Sequence, residues 1–146
     1  MATQDNAALA QTFYDSYNNH DFDQAITLCD EDLQWVNLST GETFRGPEGC
    51  RRFLEGWANG FPESRVEIQN LHPGEDFVVC EGMFRGTHTG PLVGPAGEIQ
   101  ATGRSVEIPF CQVHEIKVDK FVSCRLYFDA ATLLSQLGVL PTPQQA

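Results

Sequence analysis

The sequence predicts one α+β domain, in which helices from the first third pack on an antiparallel sheet built by the rest of the chain. Apolar residues recur at helical spacing up to about residue 59 and then alternate with polar ones up to about residue 128. Helices segregated from a run of hairpin-connected strands are typical of α+β proteins. A chain of 146 residues has the length of a single domain, and we expect residues 5–138 to be its ordered core.

The first third predicts three helices and one strand. Asp5 or Asn6 can cap the first helix, and Asp21 can cap a short second one. Pro47 suits the first turn of the third helix, because its fixed φ fits a helix start and its missing N–H is not needed there. The predicted helices cover about residues 5–19, 22–29 and 47–59, and the strand covers residues 33–38.

The rest of the chain predicts four strands and a closing helix. A tight turn at Val118–Lys120 joins the last two strands as a hairpin. Asp129 then stands at the N-cap of the closing helix, and Gly138 ends it. The predicted strands cover residues 65–72, 77–88, 106–118 and 120–128, and the helix covers 130–137.

A glycine-rich loop, residues 89–103, connects the second and third of these strands. It is long for a compact domain, which favours a functional role over a passive connection. A strongly twisted sheet can curl around the helices and leave an apolar cavity between them. Ten Phe, three Tyr and two Trp supply side chains for the walls of such a cavity or for a filled core, and composition alone does not separate the two.

The charge balance excludes one class of partner. Nine Lys and Arg stand against 20 Asp and Glu, a net charge of −11 that repels phosphate backbones, so we expect no nucleic-acid partner. No apolar run approaches the roughly 20 residues that span a bilayer. The first ten residues lack the basic and apolar parts of a secretion signal. We therefore expect a cytoplasmic protein without a membrane partner.

The cysteines and histidines do not predict a metal site. The five cysteines are odd in number and form no CxxC pair, and three of them lie in apolar, strand-like runs. We expect free thiols that act as small hydrophobic groups. The four histidines are scattered without the spacing of metal ligands. One of them, His114, lies inside a predicted strand, on its core side or its exposed side.

His88 is the first candidate for chemistry. Alternation places it on one strand face with Phe84 and Gly86, at the end of the strand. A histidine beside small residues can reach into a cleft with a pKa suited to proton transfer, and Phe84 would then form part of the wall. The alternative is a histidine that only hydrogen-bonds the following loop. The residues alone leave both open.

Asp129 is the second candidate. As a helix N-cap it needs no other role, and the residues alone favour that interpretation. A carboxylate at a strand end can also sit at the mouth of an apolar pocket, where desolvation raises its pKa and makes it a usable acid or base. Arg125 and Tyr127 share its strand face. Arg125 would steer an anion into the pocket or pair with Asp129.

Four further side chains are candidates for ligand binding. Trp35 and Asn37 point the same way on the first strand, the former as a wall and the latter as a partner for a carbonyl or phenol. Tyr14 and Tyr17 on the first helix can do likewise. Each of the four also has a purely structural explanation.

An ordered set of motifs then extends over nearly the whole chain. With these motifs the chain resembles the SnoaL-like polyketide cyclases, also called ester cyclases, of the NTF2-like superfamily. The motifs are Phe84-x-Gly86-x-His88-Thr89-Gly90, then Thr102-Gly103-Arg104 before Val106-x-Ile108-x-Phe110, and Tyr127-x-Asp129 before Leu133-Leu134-x-Gln136-Leu137-Gly138.

The resemblance implies a fold and an activity. The implied fold is a cone-shaped α+β barrel whose curved antiparallel sheet wraps around the N-terminal helices and encloses an apolar pocket. The implied reaction is ring closure of an aromatic polyketide by intramolecular aldol condensation, without metal or cofactor. Asp129 would be the general acid and base, His88 would lie in the same pocket, and Asn37 would match a pocket asparagine. The implied substrate is a small apolar or aromatic carbonyl compound, and the implied assembly is a homodimer.

Several departures from the family pattern leave other functions open. The hairpin turn carries Val118 and Asp119 without the usual glycine, Ser123 and Cys124 replace a charged or histidine pair, and the loop at 94–100 is extended. An isomerase or dehydratase would use the same residues. A ligand carrier or a dimeric interaction module without catalysis is the alternative from a different class.

Overall fold

A computed structural model describes residues 3–95 and 97–139, with side chains from Asp5 onward. Helices of the first third pack against one face of a sheet, as the sequence predicts for an α+β domain. The elements in chain order are α1 (Thr3–Asn18), α2 (Phe22–Thr27), β1 (Cys29–Asn37), β2 (Glu42–Arg45), α3 (Gly46–Gly60), β3 (Arg65–Pro73), β4 (Phe77–Thr87), β5 (Leu92–Gly94), β6 (Gly97–Ile99), β7 (Ser105–Lys117), β8 (Lys120–Phe128) and α4 (Ala130–Gln136).

The main sheet has six strands in the order β2-β1-β8-β7-β4-β3. Register shifts in three strand pairs bend it, and it curves over the helices without closing into a barrel. The prediction of an antiparallel sheet was wrong for one pair, because β1 runs parallel to β8. A parallel pair needs a long connection, and here nearly the whole remaining domain, from β2 to β7, supplies it.

The sequence did not predict two short hairpins. β2 is a four-residue strand that pairs with the end of β1, and β5 pairs with β6 inside the glycine-rich loop. Strands of three or four residues are too short to show a clear alternation.

The first helix starts earlier than predicted. Asn6 is not its cap but a buried residue within α1, and its Nδ2 donates to the carbonyl oxygens of Gly74 and Glu75 at 2.8 and 3.0 Å. The side chain therefore ties α1 to the β3–β4 turn. Asp5 likewise lies inside the helix, near its start.

The other predicted caps and turns are confirmed. The Asp21 carboxylate accepts from the Gln24 amide at 3.1 Å, and the Asp129 carboxylate accepts from the Ala131 amide at 3.0 Å. Val118 and Asp119 both adopt positive φ, 49° and 61°, as a two-residue hairpin turn of the primed type requires. Gly138 ends α4 with a φ of 75°.

The core lies between α1, α3 and the inner face of the sheet. Its largest fully buried side chains are Trp35, Phe13, Phe61 and Phe121. Four of the five cysteines are buried and Cys111 is half-buried, and all five are free thiols. Across residues 3–95 and 97–139, no helix combines the length and the hydrophobicity that crossing a bilayer demands.

Candidate functional site

An apolar cavity lies between α1, α3 and the inner faces of β3, β4, β7 and β8. It encloses about 70 Å³. Aromatic rings make most of its wall, and the polar side chains that line it are Tyr14, Tyr17 and Gln112. The aromatic rings belong to Phe13, Phe53, Trp57, Phe84, Phe110 and Phe128.

A chain of four buried polar side chains begins at the cavity wall and continues into the core. The Tyr14 hydroxyl donates to Gln112 Oε1 at 2.5 Å and lies 2.8 Å from His114 Nε2. His114 Nδ1 lies 2.9 Å from Cys124 Sγ. None of the four side chains is more than 4% exposed. Gln112 and Tyr14 line the cavity, whereas His114 and Cys124 lie behind them.

Burial keeps this chain electrically neutral. Desolvation lowers the pKa of His114 to about 3, because the charged imidazolium would lose its water without gaining a counter-ion. Desolvation also raises the pKa of Tyr14 and of Cys124 well above their ordinary values. At neutral pH the chain therefore consists of a phenol, an amide, a neutral imidazole and a thiol.

The alternation of β7 explains why these groups meet. Residues 106, 108, 110, 112, 114 and 116 all point toward the helices. Four of them are apolar, so Gln112 and His114 are polar residues in a buried apolar row. The Tyr14 hydroxyl satisfies both of them from α1.

Tyr17 contributes its ring to the wall rather than a free hydroxyl. Its oxygen lies 2.6 Å from Ser64 Oγ. Burial raises the pKa of Tyr17 to about 12. Together with Tyr14 and Phe84, it is one of three predicted ligand-binding residues that the structure brings to the cavity.

Asp129 does not reach the cavity, contrary to our expectation. Its side chain is exposed, and its two oxygens accept from the Ala131 amide at 3.0 Å and from the Thr132 hydroxyl at 2.7 Å. The Thr132 hydrogen bond is the main reason that the pKa of Asp129 is lowered, the opposite of the shift that a pocket acid needs. The carboxylate serves here as the cap of α4.

Arg125 and Tyr127 also lie outside the cavity. Arg125 is half-buried on the outer face of the sheet, 3.6 Å from the Glu115 carboxylate, and Tyr127 is 43% exposed. The three residues do share one strand face, as predicted, but this face points away from the helices. Leu126 and Phe128, at the alternate positions, line the cavity instead.

His88 is buried beside the glycine-rich loop rather than in the cavity. Its Nδ1 accepts from the Thr102 amide at 3.1 Å and lies 3.0 Å from the Thr102 hydroxyl, and its ring packs 5.3 Å from that of Phe61. Burial lowers the pKa of His88. Its Nε2 is buried and has no hydrogen-bond partner within the described residues. The loop-binding alternative accounts for these contacts.

Trp35 and Asn37 are structural in their contacts. Trp35 is fully buried behind the cavity wall, with its ring 4.8 Å from Phe53 and 5.4 Å from Phe13. Asn37 Oδ1 accepts from the Ser39 amide at 3.0 Å and so shapes the β1–β2 turn. Neither residue lines the cavity.

The sequence reading missed Gln112 and assigned His114 no role. The signal was present, because continuing the alternation of Val106, Ile108 and Phe110 places both residues on the inner face. In the part of the chain that the structure describes, no three His, Cys, Asp or Glu side chains are grouped so as to hold a metal ion.

Solved structures share this fold across nearly the whole chain. A protein from Jannaschia sp. CCS1, named a SnoaL-like polyketide cyclase, has a TM-score of 0.83 and 17% identity, over 95% of this chain and 95% of that one. IdmH from Streptomyces antibioticus, named a polyketide cyclase, has a TM-score of 0.76 and 23% identity, over 91% and 98%. A protein from Catenulispora acidiphila with a ketosteroid isomerase-like fold, in complex with trimethylamine, has a TM-score of 0.76 and 18% identity, over 92% of this chain and 97% of that one.

These identities establish the fold and nothing finer. None of the curated proteins matches the chain significantly. The family comparison is more specific, since the profile of the SnoaL-like polyketide cyclases matches residues 7–137 and so includes all the cavity-lining residues. The chain belongs to the SnoaL-like polyketide cyclase family.

Proposed function

We propose that the protein binds a small aromatic carbonyl compound in the cavity and favours its intramolecular ring closure by polarising the carbonyl group. The observation that supports this is the buried Tyr14–Gln112 pair in the wall of an otherwise apolar cavity. The Tyr14 hydroxyl bonds to the oxygen of the Gln112 amide. The NH₂ group of the same amide is left to donate to a ligand oxygen. A ligand with one acceptor oxygen on an apolar frame matches this surface.

The proposed chemistry needs no carboxylate. Asp129 is exposed, and the pKa values of Tyr14 and Tyr17 are too high for either to act as a base at neutral pH. A substrate with a methylene group between two carbonyls already populates its enol. The enol carbon attacks the second carbonyl carbon, a C–C bond forms, and the enol O–H proton ends on the new alkoxide oxygen.

The protein would contribute to this step in two ways. The Gln112 amide stabilises the negative charge that develops on the attacked carbonyl oxygen, in a site where few waters compete. The aromatic walls hold the two reacting carbons close together, which removes much of the entropic barrier. Both effects act on the transition state of a reaction that the substrate can undergo alone.

Cavity size limits the ligand. About 70 Å³ is less than half of the roughly 150 Å³ that holds benzene in an engineered apolar cavity. Trp57 and Phe128 are half-buried, and their rings contact each other at 5.6 Å on the wall. We expect these two rings to move when a bicyclic ligand binds.

Acid and base catalysis by Asp129 and His88 and assembly as a homodimer stay predictions from the sequence. Acid and base roles for Asp129 and His88 have no support in the cavity geometry, and a homodimer through the outer sheet face is still expected. Ligand binding without turnover is the second candidate function, because the described cavity wall offers no ordinary general base. A turnover assay separates it from the first.

The test uses acetophenone and α-methylstyrene, which have nearly the same shape but differ in a C=O against a C=CH₂ group. We expect the protein to bind the ketone about tenfold more tightly, the value of one buried hydrogen bond. Gln112→Leu should abolish the difference, and Tyr127→Phe on the outer face should preserve it. Equal affinities of the wild-type protein for the two compounds would overturn the proposal.

Turnover is tested with 1-(2-acetylphenyl)pentane-2,4-dione, which has a methylene group between two carbonyls and closes to a naphthol with loss of one water molecule. Faster naphthol formation with wild-type protein than with Gln112→Leu supports ring closure. Ketone selectivity without any acceleration leaves ligand binding as the function.

A further inference from the structure

Cys124 occupies the inner end of the Gln112–Tyr14–His114 chain, behind the cavity wall. The Tyr14 hydroxyl has one proton and two good acceptors beside it, Gln112 Oε1 at 2.5 Å and His114 Nε2 at 2.8 Å, with the Cys80 thiol as a third and weaker neighbour. It can donate to only one of them. A neutral chain of this kind therefore has two possible directions, which are related by reversing every donor and acceptor.

In the forward direction, Tyr14 donates to Gln112 Oε1 and His114 Nε2–H donates to Tyr14. His114 Nδ1 is then unprotonated and accepts from the Cys124 thiol, and Gln112 presents its NH₂ group to the cavity. In the reverse direction, His114 Nδ1–H points at sulfur and Tyr14 donates to Nε2. Gln112 then donates to Tyr14 and presents its oxygen to the cavity.

The thiol at 2.9 Å from Nδ1 favours the forward direction. A neutral thiol is a weak donor and a weak acceptor, whereas an unprotonated imidazole nitrogen is a good acceptor. The forward direction gives the S–H proton that acceptor. The reverse direction directs an N–H group at sulfur and leaves the buried S–H proton without one.

Aromatic rings pack around the imidazole. The rings of Phe121, Trp35 and Phe13 lie 4.6, 5.8 and 6.1 Å from that of His114. Within the described residues, the only hydrogen bonds of the His114 ring are those to Tyr14 and Cys124.

We propose that Cys124 is a positioning residue whose thiol holds His114 in the Nε2–H tautomer and thereby keeps the Gln112 NH₂ group facing the cavity. The consequence for specificity rests on the proposed carbonyl-binding function: the site selects ligands that accept a hydrogen bond. Removing the thiol would let both directions populate. The ketone preference would fall about twofold if the two became equally populated, and further if the chain reversed.

The first measurement needs no ligand. Long-range ¹H–¹⁵N spectra of the imidazole distinguish protonated from unprotonated ring nitrogens. We expect wild-type His114 to carry its proton on Nε2, Cys124→Ser to retain this tautomer, and Cys124→Ala to show a mixture. Cys50→Ala is the matched control, because it removes a fully buried thiol that makes no hydrogen bond to the His114 ring.

The second measurement compares acetophenone with α-methylstyrene for the same four proteins. The ketone preference should fall in Cys124→Ala and persist in Cys124→Ser and Cys50→Ala. A wild-type proton on Nδ1, or a tautomer unchanged in Cys124→Ala, would overturn the inference. The wild-type spectrum decides the first point even if Cys124→Ala fails to fold. A tautomer that responds as expected, in a protein without ketone preference, would uphold the role of Cys124 and refute the carbonyl-binding function.

Discussion

The β7–β8 strand pair carries an inner row of side chains that faces the helices and an outer row on the opposite face. The polar groups of these two rows differ in what they can bind. On the inner face, His114 of β7 stands opposite Cys124 of β8, and Gln112 stands opposite Leu126. On the outer face, Val113 stands opposite Arg125 and Cys111 opposite Tyr127. The inner polar groups bond to each other and to Tyr14, away from water, whereas Arg125 pairs with an exposed Glu115.

The contrast shows that charge is not what makes a candidate site here. An outer-face ion pair is screened and contributes little in isolation. A neutral hydrogen-bond chain at the wall of an apolar cavity presents fixed donors and acceptors, and a ligand must match them or leave a buried group unsatisfied.

The largest effect is expected from a carboxylate introduced at either of two adjacent positions of β8. Leu126→Asp should cost about 4 kcal/mol or more of unfolding free energy, because it buries an unpaired charge in the cavity wall. Tyr127→Asp, one residue later on the exposed side, should cost about 0.5 kcal/mol. Urea unfolding of both variants measures the two values, and a larger cost for Tyr127→Asp than for Leu126→Asp would mean that β8 has the opposite orientation.

That one-residue difference also explains what the sequence could and could not predict about the site. Alternation correctly grouped Arg125, Tyr127 and Asp129 on one face. It does not state which face meets the helices, and the family resemblance led us to choose the wrong one. The apolar alternates Leu126 and Phe128 already favoured the correct choice.

The fold was more predictable because most of its signals are local. Helical periodicity, caps at Asp21 and Asp129 and the turn at Val118–Asp119 each depend on a few neighbouring residues. The parallel pairing of β1 with β8 joins segments about 90 residues apart, and no local pattern encodes it. The polar chain was missed for the same reason, because Tyr14 and Gln112 meet only in the folded protein.

A second prediction concerns acid pH and the inner row. The folded-state pKa of His114 is about 3, below the roughly 6.5 of an unfolded histidine. The unfolded state therefore binds the extra proton first, and stability falls as pH decreases from about 6.5 toward 3. The slope from this group approaches about 1.4 kcal/mol per pH unit within that window.

Urea unfolding between pH 7 and pH 4 measures the slope for the wild-type protein and for His114→Asn. We expect a shallower slope in the variant. Some slope should remain, because burial also lowers the pKa of His88. Identical slopes in the two proteins would show that His114 is not held neutral by the core.

The smallest effect is expected at Asp129, on the exposed side. Asp129→Asn should change neither the ketone preference nor, by much, the urea midpoint, because Asn caps helices as well as Asp does. Asp129→Ala should lower the midpoint by removing the bonds to Ala131 and Thr132.

The pH dependence identifies the source of that loss. Because the folded state lowers the pKa of Asp129, its stabilising contribution is present above the unfolded-state pKa and disappears as pH falls through the folded-state pKa. The stability difference between wild type and Asp129→Ala should therefore shrink in acid. If Asp129→Asn instead eliminated naphthol formation while leaving the midpoint unchanged, the carboxylate would have a chemical role, and the outer row would need to move toward the cavity during turnover.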